Sequence, residues 1–165
     1  MLNPIDSRYE IEAVKWNGFL IKRMGTGDLE EVVSISSSSR FAPWSSEMFL
    51  GEMNHSFSHC FLIGSDEPPE GQALGFICFR TIQDESELLN LGVHPRFRKM
   101  GLGRSLMQFY IHFCTQMKVR RFYLEVSPSN EEALRLYRSL HYGPFGRRER
   151  FYGGKEDALL LVRET

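Results

Sequence analysis

Three cysteines are all that the 165 residues carry, and Cys60, Cys78 and Cys114 are odd in number, widely spaced and each set in an apolar run. That excludes a disulfide framework and points to buried thiols in a reducing compartment. No apolar stretch approaches the roughly 18–20 residues that span a bilayer. The segment Met1-Leu2-Asn3-Pro4-Ile5-Asp6 lacks a basic region followed by an apolar one, so no secretory leader is expected. These absences point to a cytoplasmic protein without a membrane partner. An excess of one charge is also missing, with 20 Lys and Arg against 21 Asp and Glu. Low-complexity sequence is confined to Ser36–Ser39, and neither an internal repeat nor a domain boundary is visible. The expectation is one domain over residues 1–165, with 1–18 as an N-terminal arm or an extra sheet edge.

The near-zero net charge hides an asymmetry. Residues 1–93 hold 6 Lys and Arg against 14 Asp and Glu, whereas residues 94–165 hold 14 against 7. A basic half suits a polyanionic ligand. Nucleic acid is not the expected one, because no basic stretch is interleaved with aromatics and no recognition-helix or RNA-binding signature is present. A compact phosphorylated cofactor fits better. A metal is not expected: His55 and His59 stand four residues apart, but no third ligand accompanies them.

Periodicity supplies the elements. Strands are predicted at Phe19–Met24, Ser58–Ile63, Ala73–Arg80, Glu87–Val93, Arg121–Val126, Pro144–Tyr152 and Ala158–Arg163. Asp28, with Glu31 three residues on, reads as the N-cap of a helix to about Ile35, and a second short helix follows Pro43-Trp44-Ser45. Leu102, Leu106, Phe109, Tyr110 and Phe113 follow a helical period, predicting a central helix from about Gly101 to Met117. Ser129 and Glu132 read as a capping box for a last helix over Asn130–Leu140. Early hairpins with one β-α-β unit in the middle indicate an α+β fold with a mixed sheet.

The segment around which the chain is organised is a strand ending near Val93, a basic turn Arg98-Lys99-Met100-Gly101-Leu102-Gly103, and a helix. Gly101-Leu102-Gly103 lacks the third glycine of a dinucleotide fingerprint, and Gly-Lys-Ser/Thr of a triphosphate loop is absent. What remains is Arg-x-x-Gly-x-Gly at a helix N-terminus, where glycines permit close backbone approach and the helix end carries about half a positive charge. Such a turn suits a pyrophosphate, although on its own it is also an ordinary way to start a helix.

With those residues in hand a family resemblance emerges. Val93-His94-Pro95 followed by Arg98-x-x-Gly101-x-Gly103-Arg104 resembles the acetyl-CoA motif of the GNAT superfamily of N-acetyltransferases. Tyr123-Leu124-Glu125-Val126, Ser129-Asn130, Ala133-Leu134 and Leu136-Tyr137 resemble its second conserved block, and the match is nearest the ribosomal-protein-alanine acetyltransferase branch. Pro43-Trp44-Ser45, Arg147-Arg148 before Tyr152, and Glu156-Asp157-Ala158 agree with that branch. The resemblance implies a mostly antiparallel mixed sheet of about seven strands, splayed at the cofactor site and flanked by about four helices. It implies acetyl-CoA as co-substrate, no metal, and transfer to a protein N-terminal amine, the alanine of a small-subunit ribosomal protein, by a monomer or weak dimer. Leu91, Gly92 and Val93 are implied to bind the pantetheine, and Arg98, Lys99, Met100, Gly101, Leu102, Gly103 and Arg104 to cradle the pyrophosphate. Asn130 is implied to touch the cofactor as well.

Two side chains carry the implied chemistry. Glu125 is flanked by Leu124 and Val126, and a carboxylate in apolar surroundings can have a pKa raised toward neutrality, as a general base requires. On spacing alone it fits a surface position on an edge strand equally well. Tyr137 fits the apolar stripe of the last helix, yet the resemblance places it as the general acid, and a phenol with a pKa of about 10 can protonate a thiolate. Trp44 and Tyr152 are candidates to frame the acceptor groove, with Trp44 equally suited to fastening the second helix to the core. A lysine, polyamine or small-amine acceptor and a non-catalytic acetyl-CoA-binding module are the alternatives. One departure from the family pattern is His141, where glycine is usual after the last helix.

Overall fold

Each long strand carries two apolar faces, so the sheet needs a helical layer on both sides. The computed structural model describes residues 11–41, 43–67, 72–152, 154 and 156–165, without the side chains at 151 and 152. Its strands are β1 (Ala13–Trp16), β2 (Phe19–Arg23), β3 (Ser58–Ser65), β4 (Ala73–Ile82), β5 (Glu85–Val93), β6 (Arg121–Val126), β7 (Gly143–Tyr152) and β8 (Glu156–Glu164). They form one eight-stranded sheet in the order β1-β2-β3-β4-β5-β6-β8-β7. Among the described residues only β5 and β6 are parallel neighbours; the other pairs are antiparallel. A parallel pair needs a crossover, and α3 (Leu102–Gln116) supplies it.

With α4 (Glu131–Ser139), α3 covers one face. There Leu102, Leu106, Phe109, Tyr110 and Phe113, the residues of the predicted stripe, are buried against Phe61, Ile77, Phe79 and Phe122. On the other face α1 (Leu29–Ser37) and α2 (Ser46–Met53) enclose Val32, Ile35 and Phe49 with Leu62, Phe76 and Cys78. The α+β fold with a mixed, mostly antiparallel sheet and four helices matches the expectation. The eighth strand comes from the segment read as an arm or an extra edge. In β1 only Val14 and Trp16 pack on the core, too few to make alternation visible. The rest of that expected arm, residues 1–10, lies outside the described residues.

Two helix caps differ from the sequence reading. Asp28 makes no side-chain cap on α1; it accepts a hydrogen bond from Gly25 N at 2.8 Å and pairs with Lys22 at 3.2 Å. Glu31 reaches across to Ala73 N at 2.7 Å instead of closing a capping box. The N-cap of α4 is Asn130, whose Oδ1 accepts from Ala133 N at 3.3 Å, and Ser129 Oγ instead lies 2.9 Å from Ser127 Oγ. In both places the side chain bonds a competing backbone, charged or hydroxyl partner instead of the one the spacing suggested.

The sheet opens where the site lies. In the β4–β5 ladder Cys78 pairs with Asn90 but Phe79 pairs with Leu88, so Leu89 is an extra residue on β5. Such a bulge bends its strand. Pairing between β5 and β6 ends at Leu88 and Leu124, leaving Leu91–Val93 and Glu125–Val126 unpaired with each other. Gly92 belongs to this bend: a Cβ there would stand 2.4 Å from the Phe76 ring, which is itself fixed edge-on against Phe49 at 5.1 Å. Only glycine lets β5 lie this close.

Candidate active site

A cleft of about 820 Å³ lies at the carboxyl end of β5, between the turn that opens α3 and the start of α4. Leu91, Gly92 and Val93 form one wall, the turn Arg98–Arg104 another, and Asn130, Ala133, Leu136 and Tyr137 of α4 the third. All the cofactor-binding residues expected from the sequence line it except Met100, which is largely exposed beside it.

The turn earns its shape from backbone conformation. Lys99 (φ 61°) and Gly101 (φ 82°) are both left-handed, coiling the chain tightly before α3, and Gly101 stands at the N-cap without a side-chain cap. The first amides of α3 therefore face the cleft without a capping side chain in front of them. Gly103 differs from Gly101. A Cβ on Gly103 would meet only Leu136 at 3.5 Å and Val93 at 3.9 Å, so packing in the protein itself does not demand glycine. Arg98 is anchored on Val93 O at 3.2 Å and Ser38 Oγ at 3.1 Å, and Arg104 on Ser139 Oγ at 2.7 Å. These bonds hold two cations at the rim and tie α3 to α4 and α1 to β5.

The sequence reading missed the rim contributed by the end of α1. Ser38, Ser39, Arg40 and Phe41 line the cleft, and Arg40 reaches Ser129 O at 3.4 Å with its guanidinium over Phe41 at 4.8 Å. A serine run beside one arginine carries no periodic signal. The loop opposite is fixed by Glu156, which accepts from Ser129 N at 3.2 Å.

Glu125 and Tyr137 lie on opposite faces of the sheet. In β6 Phe122, Leu124 and Val126 turn to the core under α3 and α4, so Tyr123 and Glu125 face the other way. Burial pushes the Glu125 carboxyl above the usual carboxylate range; Arg148, paired with it at 2.8 Å, opposes that rise, and Glu87 adds to it. Arg148 comes from β7 and was only part of a family signature in the sequence. Tyr137 is buried in the core under α4 and still lines the cleft. Its carbonyl accepts from Tyr142 N at 3.1 Å, and His141 N bonds Arg138 O at 3.0 Å. These two bonds close the helix immediately after Tyr137, with His141 left-handed at φ 67°.

Trp44 packs edge-on against Phe49 at 5.2 Å and gives its backbone N–H to Ser36 Oγ at 2.8 Å; it lines neither this cleft nor the second one described below. The Tyr152 side chain lies outside the described residues. His59 is stacked on Phe79 and edge-on to Phe113 in the core, where burial first and Arg23 second lower its pKa to about 4.

Residues 29–142 match the family model described as the acetyltransferase (GNAT) family. The chain belongs to that family. A GNAT relative from Salmonella typhimurium (strain LT2), named ribosomal protein bS18-alanine N-acetyltransferase, is 30% identical over 145 residues, covering 86% of this chain and 95% of its own. The crystal structure of the ribosomal-protein-S18-alanine N-acetyltransferase from Escherichia coli superposes with a TM-score of 0.79 at 28% identity, over 88% of this chain and 93% of that one. The Arabidopsis thaliana NAA60 structure in complex with acetyl-CoA shares the fold at 22% identity, with a TM-score of 0.78, over 88% of this chain and 98% of that one.

As a GNAT member the protein is an acetyl-CoA-dependent N-acetyltransferase, and the cleft fits that co-substrate. The unpaired edge of β5 at Leu91–Val93 can take an amide-bearing chain as an added strand. The open space in front of Gly101, the uncapped amides of α3 and the fixed cations Arg98 and Arg104 suit a pyrophosphate. Lys99 and Arg40 stand at the same rim.

Proposed function

We propose that the enzyme acetylates a protein N-terminal amine, the alanine of a ribosomal protein, with Glu125 as general base and Tyr137 as general acid. The observation that supports this reading is that Tyr137 lines the cofactor cleft, while Glu125, next to the point where β5 and β6 part, lines a cleft on the other face of the sheet. The relatives named for alanine acetylation of a ribosomal protein support the acceptor. Acetyl-CoA supplies the activated acetyl group when bound. Leu91–Val93 orient it by backbone hydrogen bonds, and Lys99–Arg104 hold its phosphates. Glu125 accepts a proton from the acceptor ammonium, whose pKa of about 8 lies within reach of a carboxyl raised by burial. Arg148 keeps that carboxyl ionised enough to accept it. Tyr137 donates its phenolic proton to the leaving sulfur.

The test is acetyl-CoA with a panel of N-terminal peptides, lysine peptides and polyamines, following thiol release and the position of the acetyl group. The expected result is acetylation at the α-amine of alanine-terminated peptides. Release only with lysine side chains or polyamines contradicts the acceptor. Tight acetyl-CoA binding without release for any acceptor contradicts the enzymatic reading.

A further inference from the structure

A second cleft, of about 360 Å³, begins at Glu125 and Arg148 and runs along the opposite face of the sheet. Tyr123 and Phe145 form one wall, edge-on to each other at 5.5 Å, and Leu160 and Ile82 lie beside them. Phe145 sits at the register shift in the β7–β8 ladder, which turns it outward. It is 53% exposed, and Ile82 at the far end is 51% exposed. Phe145 thus adds exposed aromatic surface to the cleft that holds Glu125.

The charges in this cleft are nearly all matched. Arg80 is held by Glu52 in two hydrogen bonds of 2.6 and 2.8 Å. Glu85 pairs with Arg121 at 3.0 Å, and Glu125 with Arg148 at 2.8 Å. Glu87 lines the cleft, is exposed, and has no ion pair among the described residues; Arg80, its partner across the β4–β5 ladder, feels its charge but gives its hydrogen bonds to Glu52. It stands in register with Tyr123, two residues before Glu125 on the neighbouring strand, or about 6.5 Å along the sheet. An extended peptide whose amine meets Glu125 reaches that far by its second or third residue.

We propose that this cleft receives the acceptor segment that follows the reactive amine, and that Glu87 selects a cationic side chain, Arg or Lys, at its second or third position. The inference rests on the N-terminal-amine reading above. Glu87 supplies the countercharge, and the rings of Tyr123 and Phe145 flank the aliphatic stem and the cation. A lysine-side-chain acceptor gains nothing systematic from this arrangement, because its flanking residues approach from both directions.

The experiment compares alanine-terminated peptides carrying arginine at position 2 or 3 with the same peptides carrying citrulline, which keeps the shape and removes the charge. Wild-type enzyme is expected to prefer arginine by about five- to tenfold in kcat/KM, chiefly through KM. Glu87→Gln should bring that ratio to about one, and Glu87→Lys should reverse it toward peptides with aspartate at the same position. Each ratio is taken within one variant at one pH, so an altered Glu125 cancels. Unchanged discrimination in Glu87→Gln, or equal use of both peptides by wild type, overturns the inference while leaving N-terminal acetylation standing. Absence of acetylation of every peptide overturns both. Charge discrimination that survives Glu87→Gln but vanishes in Phe145→Ala overturns the assignment to Glu87.

Discussion

Gly103 offers a perturbation in which folding and binding should move in opposite directions. A Cβ at Gly103 would meet Leu136 at 3.5 Å and Val93 at 3.9 Å, which is ordinary contact. Alanine therefore fits the free protein. It also suits the first turn of α3, where replacing glycine gains about 0.5 kcal/mol, the low end of the helical range. For a chain of this size that raises Tm by about 1–2 °C. Yet Leu136 and Val93 both line the cleft, so the new methyl projects into it. Displacing a pyrophosphate from two amide hydrogen bonds at about 1.5–3 kcal/mol each lowers acetyl-CoA affinity by about 10²–10⁴-fold. Gly101→Ala is the contrasting variant: at φ 82° alanine is strained, and Tm should fall. Thermal unfolding and titration calorimetry on the same samples decide. A Gly103→Ala protein that binds acetyl-CoA like wild type refutes the placement of the phosphates, and one that melts several degrees lower refutes the fit of a methyl at this position.

Two further outcomes follow from the local geometry. His141 occupies a left-handed position at φ 67° that glycine adopts freely, so His141→Gly should stabilise by about 0.5–1 kcal/mol and raise Tm by about 1–4 °C; a fall in Tm would show that the imidazole contributes more than the turn costs. Arg148 opposes the rise in the Glu125 pKa, so Arg148→Ala should raise it further. The ascending limb of the kcat/KM profile, which reports the base in the free enzyme, then moves to higher pH and activity on the acidic side falls. A limb that stays in place or moves to lower pH contradicts the pairing.

Much of this architecture was legible because pattern and physics coincide. The stripe from Leu102 to Phe113 is long and strictly helical, and it became the buried face of α3. The glycine turn could be recognised because close backbone approach restricts residue type. The register shift that leaves Leu89 extra was not legible, since a bulge is a relation between two strands and Leu88-Leu89 reads as plain strand. The partners of Asp28, Glu31 and Ser129 were missed for a similar reason: several acceptors lay within reach, and tertiary placement chose among them. Arg40, Glu87 and Arg148 carry charges that are unremarkable in sequence. Only the fold shows that one spans the cofactor cleft, one stands without an ion pair in the second cleft, and one meets Glu125. Trp44, legible as an aromatic near the acceptor side, is packed against Phe49.

The most direct measurement is acetyl transfer in a single turnover to an alanine-terminated peptide by Glu125→Gln and Tyr137→Phe, with acetyl-CoA affinity determined on the same preparations. Neither side chain belongs to the phosphate cradle, so affinity should stay within about twofold, while the transfer rate should fall by about 10²–10⁴ in each, the range for loss of a general base or acid. Full transfer rates in both variants would contradict the assignment of the two proton transfers.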